Sequence, residues 1–252
     1  MEGQRKVLAQ LKMEFENDFL NYKMSSNLQG VIYEKIDSDY VEEMHKNQLH
    51  PYSQCLLKED NKAVWCIKTI TKEAYEKIIL PLQDTEFQSF EIKNGTHPCK
   101  IQKKMLLTET REDLLREFYD KDGGKYINLE FQTPTSFKQN GRNVIFPDIR
   151  LIYQSLMNKY SAYSETVEMY DEDTLEQLIQ NSEIVHYNLK SINFPMEGVK
   201  IPGFKGKITI RLNGTDTMSR YVRMLCRFGE YSGIGMKTAM GMGAIRIVEW
   251  RQ

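Results

Sequence analysis

Familiar catalytic signatures are scarce in this 252-residue chain. It has four cysteines, Cys55, Cys66, Cys99 and Cys226, far apart and with no Cys-x-x-Cys pair. The four histidines do not flank them at zinc-ligand spacing. That pattern argues against a disulfide framework and a structural zinc site. The cysteines are expected to be reduced, partly buried small hydrophobes in a cytoplasmic protein. No apolar run approaches the ~18–20 residues that a membrane span needs. The stretch Met1 to Lys6 lacks the apolar core and cleavage site of a secretory leader. There is no Gly-x-Ser-x-Gly elbow for serine hydrolysis, and no histidine pair at i, i+4 beside a carboxylate. Neither a metal nor a cofactor is expected.

Excess charge of one sign is missing too, since the formal net charge is −1. Its distribution is uneven, however. From Lys190 to Gln252 eleven Lys or Arg face four Asp or Glu, whereas Ser161 to Leu189 holds seven acids and no Lys or Arg. A neutral total thus hides a basic C-terminal segment, the feature that matters for a phosphate-rich partner.

The length fits one large domain or two modest ones of about 100–150 residues, each able to bury a core. Alternation over Arg5 to Phe15 predicts a strand, and Leu28 to Ile36 a helix. A short helix over Asp39 to Asn47, capped by Asp37 or Ser38, ends before His50-Pro51. Tyr52 to Leu57 and Ala63 to Ile70 form a hairpin, and Thr71 caps a helix to Leu80. Phe87 to Lys93 and Lys100 to Leu107 are strands across an Asn94-Gly95 turn. A helix over Thr108 to Tyr119 closes a first unit, and Gly123-Gly124 marks the boundary. The second unit repeats the order: strand Lys125 to Thr133, short strand Val144 to Phe146, helices Asp148 to Tyr160 and Asp171 to Gln180. Hairpin strands Ile184 to Phe194 and Ile201 to Leu212 follow, then helix Thr215 to Phe228 and strand Ile245 to Trp250. The expected fold is α+β, two tandem ferredoxin-like (RRM-like) domains at 1–122 and 123–252. Each would be an antiparallel sheet with helices on one face.

The most specific segment is Gly233-Ile-Gly235-Met-Lys-Thr-Ala-Met-Gly241-Met-Gly243. Two Gly-apolar-Gly triplets are separated by five residues that include Lys237. Glycines permit φ > 0 and close backbone approach, and open N–H groups in such a loop would suit phosphate oxygens. The spacing matches neither the dinucleotide fingerprint nor the P-loop. It resembles the signature of the CRISPR-associated repeat-processing endoribonucleases. The lead-in Cys226 to Ser232 and the strand Ala244 to Val248 fit that family, and other segments from Leu28 onward agree in order. The resemblance implies tandem ferredoxin-like domains and metal-independent cleavage of CRISPR precursor RNA within its repeats. It names CRISPR repeat RNA as partner and a CRISPR effector complex as recipient of the product. Monomer and homodimer both stay open.

Lys200, Lys205, Lys207 and Arg211 lie within twelve residues of a hairpin strand. Alternation puts Lys205, Lys207 and Arg211 on one face, with Ile208 and Ile210 inward. The family resemblance implies that this hairpin and the glycine loop (Gly233, Gly235, Lys237, Gly241, Gly243) grip RNA. Lys138 resembles part of the loop after the first strand of the family's second domain, facing the same RNA. Arg220, Arg223 and Arg227 recur at helical spacing, where they fit either a phosphate groove or stems laid on apolar surface.

Metal-free RNA cleavage needs a base for the 2′-hydroxyl, an acid for the leaving 5′-oxygen and a donor or cation for the phosphorane. It leaves a 2′,3′-cyclic phosphate and a 5′-hydroxyl. The compact candidates are Tyr33, His45, Lys46 and His50. The segments Leu28 to Tyr33 and Tyr40 to His45 resemble the family's Tyr-then-His arrangement, which implies His45 as base or acid with Tyr33 assisting. The family adds a Lys shortly after the His; Lys46 and His50 stand nearest that position without matching it. His97 and His186 read as structural. Two other readings suit the pattern. One is a non-catalytic RNA-binding subunit of a CRISPR ribonucleoprotein. The other is a ferredoxin-like regulator with a small ligand, which predicts no salt-dependent RNA affinity.

Overall fold

The computed structural model describes residues 7–15, 20–92, 98–120, 122–163, 170–196 and 198–249. In the first half, β1 (Val7–Phe15) leads through a 3₁₀ turn at Tyr22–Met24 to α1 (Ser25–Lys35) and α2 (Ser38–Lys46). The hairpin β2 (Tyr52–Glu59) and β3 (Lys62–Thr69) follows. Its tight turn places Asp60 and Asn61 at positive φ, the pattern that matches strand twist in a two-residue hairpin. Next comes one continuous helical stretch: α3 (Lys72–Ala74), a wide π turn at Tyr75–Ile79, and α4 (Leu80–Gln83). Strands β4 (Ser89–Phe90) and β5 (Cys99–Thr110) and helix α5 (Arg111–Asp120) complete this half. The sheet order is β2-β3-β1-β5-β4, with every printed pairing antiparallel.

The second half runs β6 (Tyr126–Thr135), the small hairpin β7 (Phe137–Gln139) and β8 (Arg142–Val144), then α6 (Ile149–Ala162) and α7 (Glu172–Gln180). The long hairpin β9 (Ser182–Met196) and β10 (Val199–Leu212) leads to α8 (Asp216–Ser232). A 3₁₀ turn at Thr238–Met240 and β11 (Ile245–Ile247) end the fold. Its sheet order is β11-β6-β10-β9. Leaving out the short β4, both halves place the last strand beside the first, then the third, then the second. That is the ferredoxin-like order, found twice.

Caps explain where the helices begin. Asp37, Thr71, Asp148, Asp171 and Thr215 each accept a backbone N–H of the following first turn. Several boundaries differ from the pattern reading: α1 begins at Ser25, α8 runs on to Ser232, β9 spans Ser182–Met196, and β7 is a strand that the pattern did not show. The strand expected over Phe87 to Lys93 shrinks to Ser89–Phe90, and Lys93 lies outside the described residues, as do Asn94, Gly95 and His97. Thr108 to Thr110 extend β5 along β1, and Asp113 bonds Thr110, so α5 starts at Arg111. The short strand lies at Arg142–Val144, where an Asn140-Gly141 turn at positive φ pairs it with β7. The last strand stops at Ile247, and Trp250 is outside the described residues.

Strands β2 and β3 are buried along nearly their whole length because both sheet faces are covered. Tyr52, Leu56, Trp65 and Ile67 enter the first core with α1. The opposite face packs Cys55, Val64 and Cys66 against Ala244. There the end of α8 docks: Ser53 Oγ donates to Tyr231 O at 2.6 Å, and Lys68 Nζ to Glu230 O at 2.6 Å. The second core gathers Phe131, Ile152, Leu156, Phe204, Ile210 and Leu225. All four cysteines are buried and free, as expected.

Candidate active site and RNA surface

Tyr33 lies on α1, two residues before its end, and His45 in the last turn of α2. Buried Leu28, Val31, Ile32, Tyr40 and Met44 fix both helices on the first core. Two exposed-side residues therefore meet: the Tyr33 and His45 rings stand edge to face, centroids 5.3 Å apart. Behind them Gln29 Nε2 donates to the Tyr33 hydroxyl at 3.0 Å and to the Tyr52 hydroxyl at 3.1 Å. Burial raises the Tyr33 pKa, outweighing the hydrogen bonds from Tyr52 and Gln29. The phenol thus keeps its proton at neutral pH, with its oxygen already accepting from behind.

His50 follows the helix break and packs edge-on against Tyr52, centroids 5.8 Å apart. Its pKa is lowered, first by burial and then by repulsion from His45, Lys237 and Lys159. Neutral imidazole is therefore its form at pH 7. Its Nδ1 is buried without a hydrogen-bond partner among the described residues. Lys46, one residue past His45, is exposed and a ~100° step around the helix from it.

The glycine loop reaches this place from the other half of the molecule. Ala239 is part of the first core, and Gln54 Nε2 donates to both Ser25 O (2.9 Å) and Ala239 O (3.1 Å). Gln54 Oε1 in turn accepts from Trp65 Nε1 at 2.6 Å. Gly241, at φ +111, lies so close to α1 that a Cβ there would come within 2.3 Å of Ser25 Cβ. A Cβ on Gly243 would meet Ile234 O at 1.9 Å. Lys237 is exposed at the tip with φ 58, a left-handed conformation uncommon for a non-glycine residue.

The expectation of N–H groups open to phosphate is not met along most of the loop. The N–H groups of Gly233, Ile234, Gly235, Met236, Met240, Gly241, Met242 and Gly243 all have protein acceptors. Gly233, Gly241 and Gly243 are buried. A tight double bend must satisfy its own backbone groups once it is buried between two sheets. The glycines shape the loop, and its tip presents the lysine.

One functional candidate escaped the sequence reading. Lys159 on α6 is 5% exposed. Its ammonium donates to Ser232 O and Gly233 O at 3.0 Å and to Thr238 Oγ1 at 3.1 Å. Burial lowers its pKa to about 7. A lysine within an apolar helical stripe was the available signal.

On the hairpin, alternation holds: Ile208 and Ile210 are buried and Lys207 and Arg211 exposed. The row of free charge is a different matter. Lys207 Nζ lies 3.7 Å from Glu130, and Arg211 is paired with Glu183. Lys205 is half-buried directly opposite Lys190, and burial followed by that like charge lowers its pKa. It borders a groove between the halves that also presents Lys12, Lys58, Arg246, Glu59 and Glu130. Lys200 is exposed at the start of β10 opposite Pro195. Lys138 is exposed on β7, whose neighbour Ser136 accepts from Met236 of the glycine loop at 3.0 Å.

The guanidinium groups of the three arginines on α8 are engaged within the protein, and that of Arg227 also lies over the Tyr231 ring. Arg220 bonds Asp216 and the carbonyl of Tyr119, and Arg223 the carbonyls of Gly123 and Tyr126. Arg227 is paired with Glu109 and Glu230. Arg220 and Arg223 clamp the stretch between the two sheets. Among the described residues, no three His, Cys, Asp or Glu side chains gather as a cation site, and no helix is long and apolar enough to cross a membrane.

Fold and site together define a tandem ferredoxin-like protein with a tyrosine–histidine pair at the seam between its units. Comparison with known proteins goes further. The family model "CRISPR-associated endoribonuclease Cas6" matches residues 129–245. A protein of that name from Streptococcus thermophilus is 37% identical over 87% of this chain and 89% of its own length. One from Mycobacterium tuberculosis is 35% identical over 89% of this chain and 71% of its own length. The chain belongs to the CRISPR-associated endoribonuclease Cas6 family. Solved structures share the fold: a Cas6 product complex superposes with TM-score 0.80 at 22% identity, covering 96% of this chain and 100% of that one. Thermus thermophilus Cas6 gives 0.70 at 18% identity, covering 97% and 98%.

Proposed function

We propose that the protein is a metal-independent endoribonuclease that cuts CRISPR precursor RNA within its repeats. The observation that carries this is the edge-on Tyr33–His45 pair, beside a His50 whose pKa is lowered in part by Lys237 of the glycine loop. His45 takes the 2′-hydroxyl proton or returns one to the leaving 5′-oxygen. Tyr33, its phenol kept protonated by burial, donates its hydrogen to a phosphate oxygen. Lys237 fills the place left open by Lys46, as the cation that steadies the phosphorane. His50, held neutral, lines the site without adding positive charge. Attack of the 2′-oxygen on phosphorus expels the 5′-oxygen, leaving a 2′,3′-cyclic phosphate and a 5′-hydroxyl. Lys205, Lys190 and Lys138 hold the flanking phosphates, and the product guide RNA passes to a CRISPR effector complex.

The test is single-turnover cleavage of matched repeat RNA in EDTA. We expect full activity in EDTA, cyclic-phosphate ends, and no cut when the scissile nucleotide is 2′-deoxy. His45→Ala should slow cleavage by about 10²–10⁴-fold and leave repeat affinity within about threefold of wild type. An uncut repeat with the wild-type protein would leave the non-catalytic RNA-binding subunit standing. Activity restored only by added Mg²⁺ would refute the metal-free route.

A further inference from the structure

We propose that Lys159 is a positioning residue: its buried amine pins the glycine loop so that Lys237 is held near His50. This inference rests on the cleavage reading above for its kinetic consequence, but not for its structural one. Helix α6 grips the loop twice from one face. Ser155 Oγ accepts from Gly235 N at 2.9 Å, and Lys159, four residues on, holds Ser232, Gly233 and Thr238. Two of those acceptors are carbonyls at the C-terminal end of α8, where the helix dipole favours a cation. An ammonium has three N–H donors, and here it meets three acceptors. Thr238 follows Lys237 directly, and Ala239 is tied to Gln54 of the first half. The lysine tip therefore emerges from a segment fixed on one side by α6 and on the other by β2. Its left-handed backbone persists because both neighbours are held. A side chain without N–H donors at 159 would strip the buried Ser232 carbonyl of this donor, leave Gly233 O with only its bond from Ser232 Oγ, and release the bend.

The test is a double-mutant cycle on single-turnover cleavage with Lys159→Met and Lys237→Ala. It is read beside affinity for a 2′-deoxy repeat and amide exchange across residues 233–243. We expect Lys159→Met to slow cleavage by about tenfold to a hundredfold with affinity changed by less than about threefold. The double variant should be no slower than the worse single variant within about twofold. Exchange should rise over 233–243 in Lys159→Met and stay at the wild-type level in His45→Ala. Thr238→Val removes one of the three acceptors without stranding a charge, and covers the case in which Lys159→Met fails to fold. It should shift rate and exchange in the same direction by a smaller factor. Unchanged exchange, or rate losses that multiply in the double variant, would overturn the inference. If wild type does not cut at all, the cleavage reading fails while the exchange result still decides the role of Lys159.

Discussion

Lys237 shows how a single residue can work against stability for the sake of position. A left-handed non-glycine backbone costs about 1 kcal/mol, and four glycines in the same loop show that the chain has glycine to hand. Lysine occupies the strained tip nonetheless. Lys237→Gly is expected to raise unfolding free energy by about 0.5–1 kcal/mol and to slow single-turnover cleavage at least about tenfold. Chemical denaturation and cleavage on one protein preparation read both. A variant that loses stability, or cleaves at the wild-type rate, would mean that the side chain serves the fold and not the reaction. The sequence pointed to His45 and Tyr33 through resemblance to the family's Tyr-then-His arrangement, on helices whose ends capping and a proline mark. Lys159 was not, because its role comes from three acceptors remote in sequence.

At the scale of elements, the hairpin β9–β10 sets Lys190 and Lys205 directly opposite one another. Like charges in cross-strand register oppose folding by a few tenths of a kcal/mol, and partial burial of Lys205 adds to the cost. Such a pair gains when an anion lies between the two side chains. Lys205→Ala should therefore leave the free protein as stable or slightly more so, by about 0.5 kcal/mol. It should also weaken repeat binding and reduce the salt slope by about one unit. Lys207→Ala and Arg211→Ala should each cost less affinity, because Glu130 and Glu183 already neutralise them. Filter binding across a salt series separates these outcomes, and equal losses from all three would contradict the pairing argument. The strand itself, its alternation and the caps of the flanking helices were all readable from periodicity. Which lysines keep their charge for a ligand was not, since Glu130 and Glu183 come from other strands. The same limit applies to Arg220 and Arg223, whose spacing suggested a phosphate groove but whose partners are carbonyls of the connecting stretch.

Across the whole molecule, the proposed site requires that the two units stay together. Tyr33, His45 and His50 come from one and Lys237 and Lys159 from the other. The seam is built from groups that neither unit could satisfy alone. Ala239 lies in the core of the first, and Ser53 and Lys68 bond carbonyls of the second. Arg227 joins Glu109 of β5 to Glu230 of α8. We propose the boundary between units at residues 122–123, where Gly123 sits so close to α8 that a Cβ would come within 2.5 Å of Ser219 Cβ. Separation would bare Cys55, Val64 and Cys66 and strand buried polar atoms on both sides. The two units should therefore unfold in one cooperative transition. Trp65 lies in the first core at 0% exposure and reports on that unit alone in a Trp250→Phe background. Its fluorescence midpoint in denaturant should coincide with the loss of far-ultraviolet dichroism from the whole chain. Ser53→Ala should lower both midpoints together, by the ~1 kcal/mol of one buried hydrogen bond. Two separate transitions, or a Ser53→Ala effect on the Trp65 signal alone, would mean that the units are stable apart and that the seam is assembled only when RNA binds.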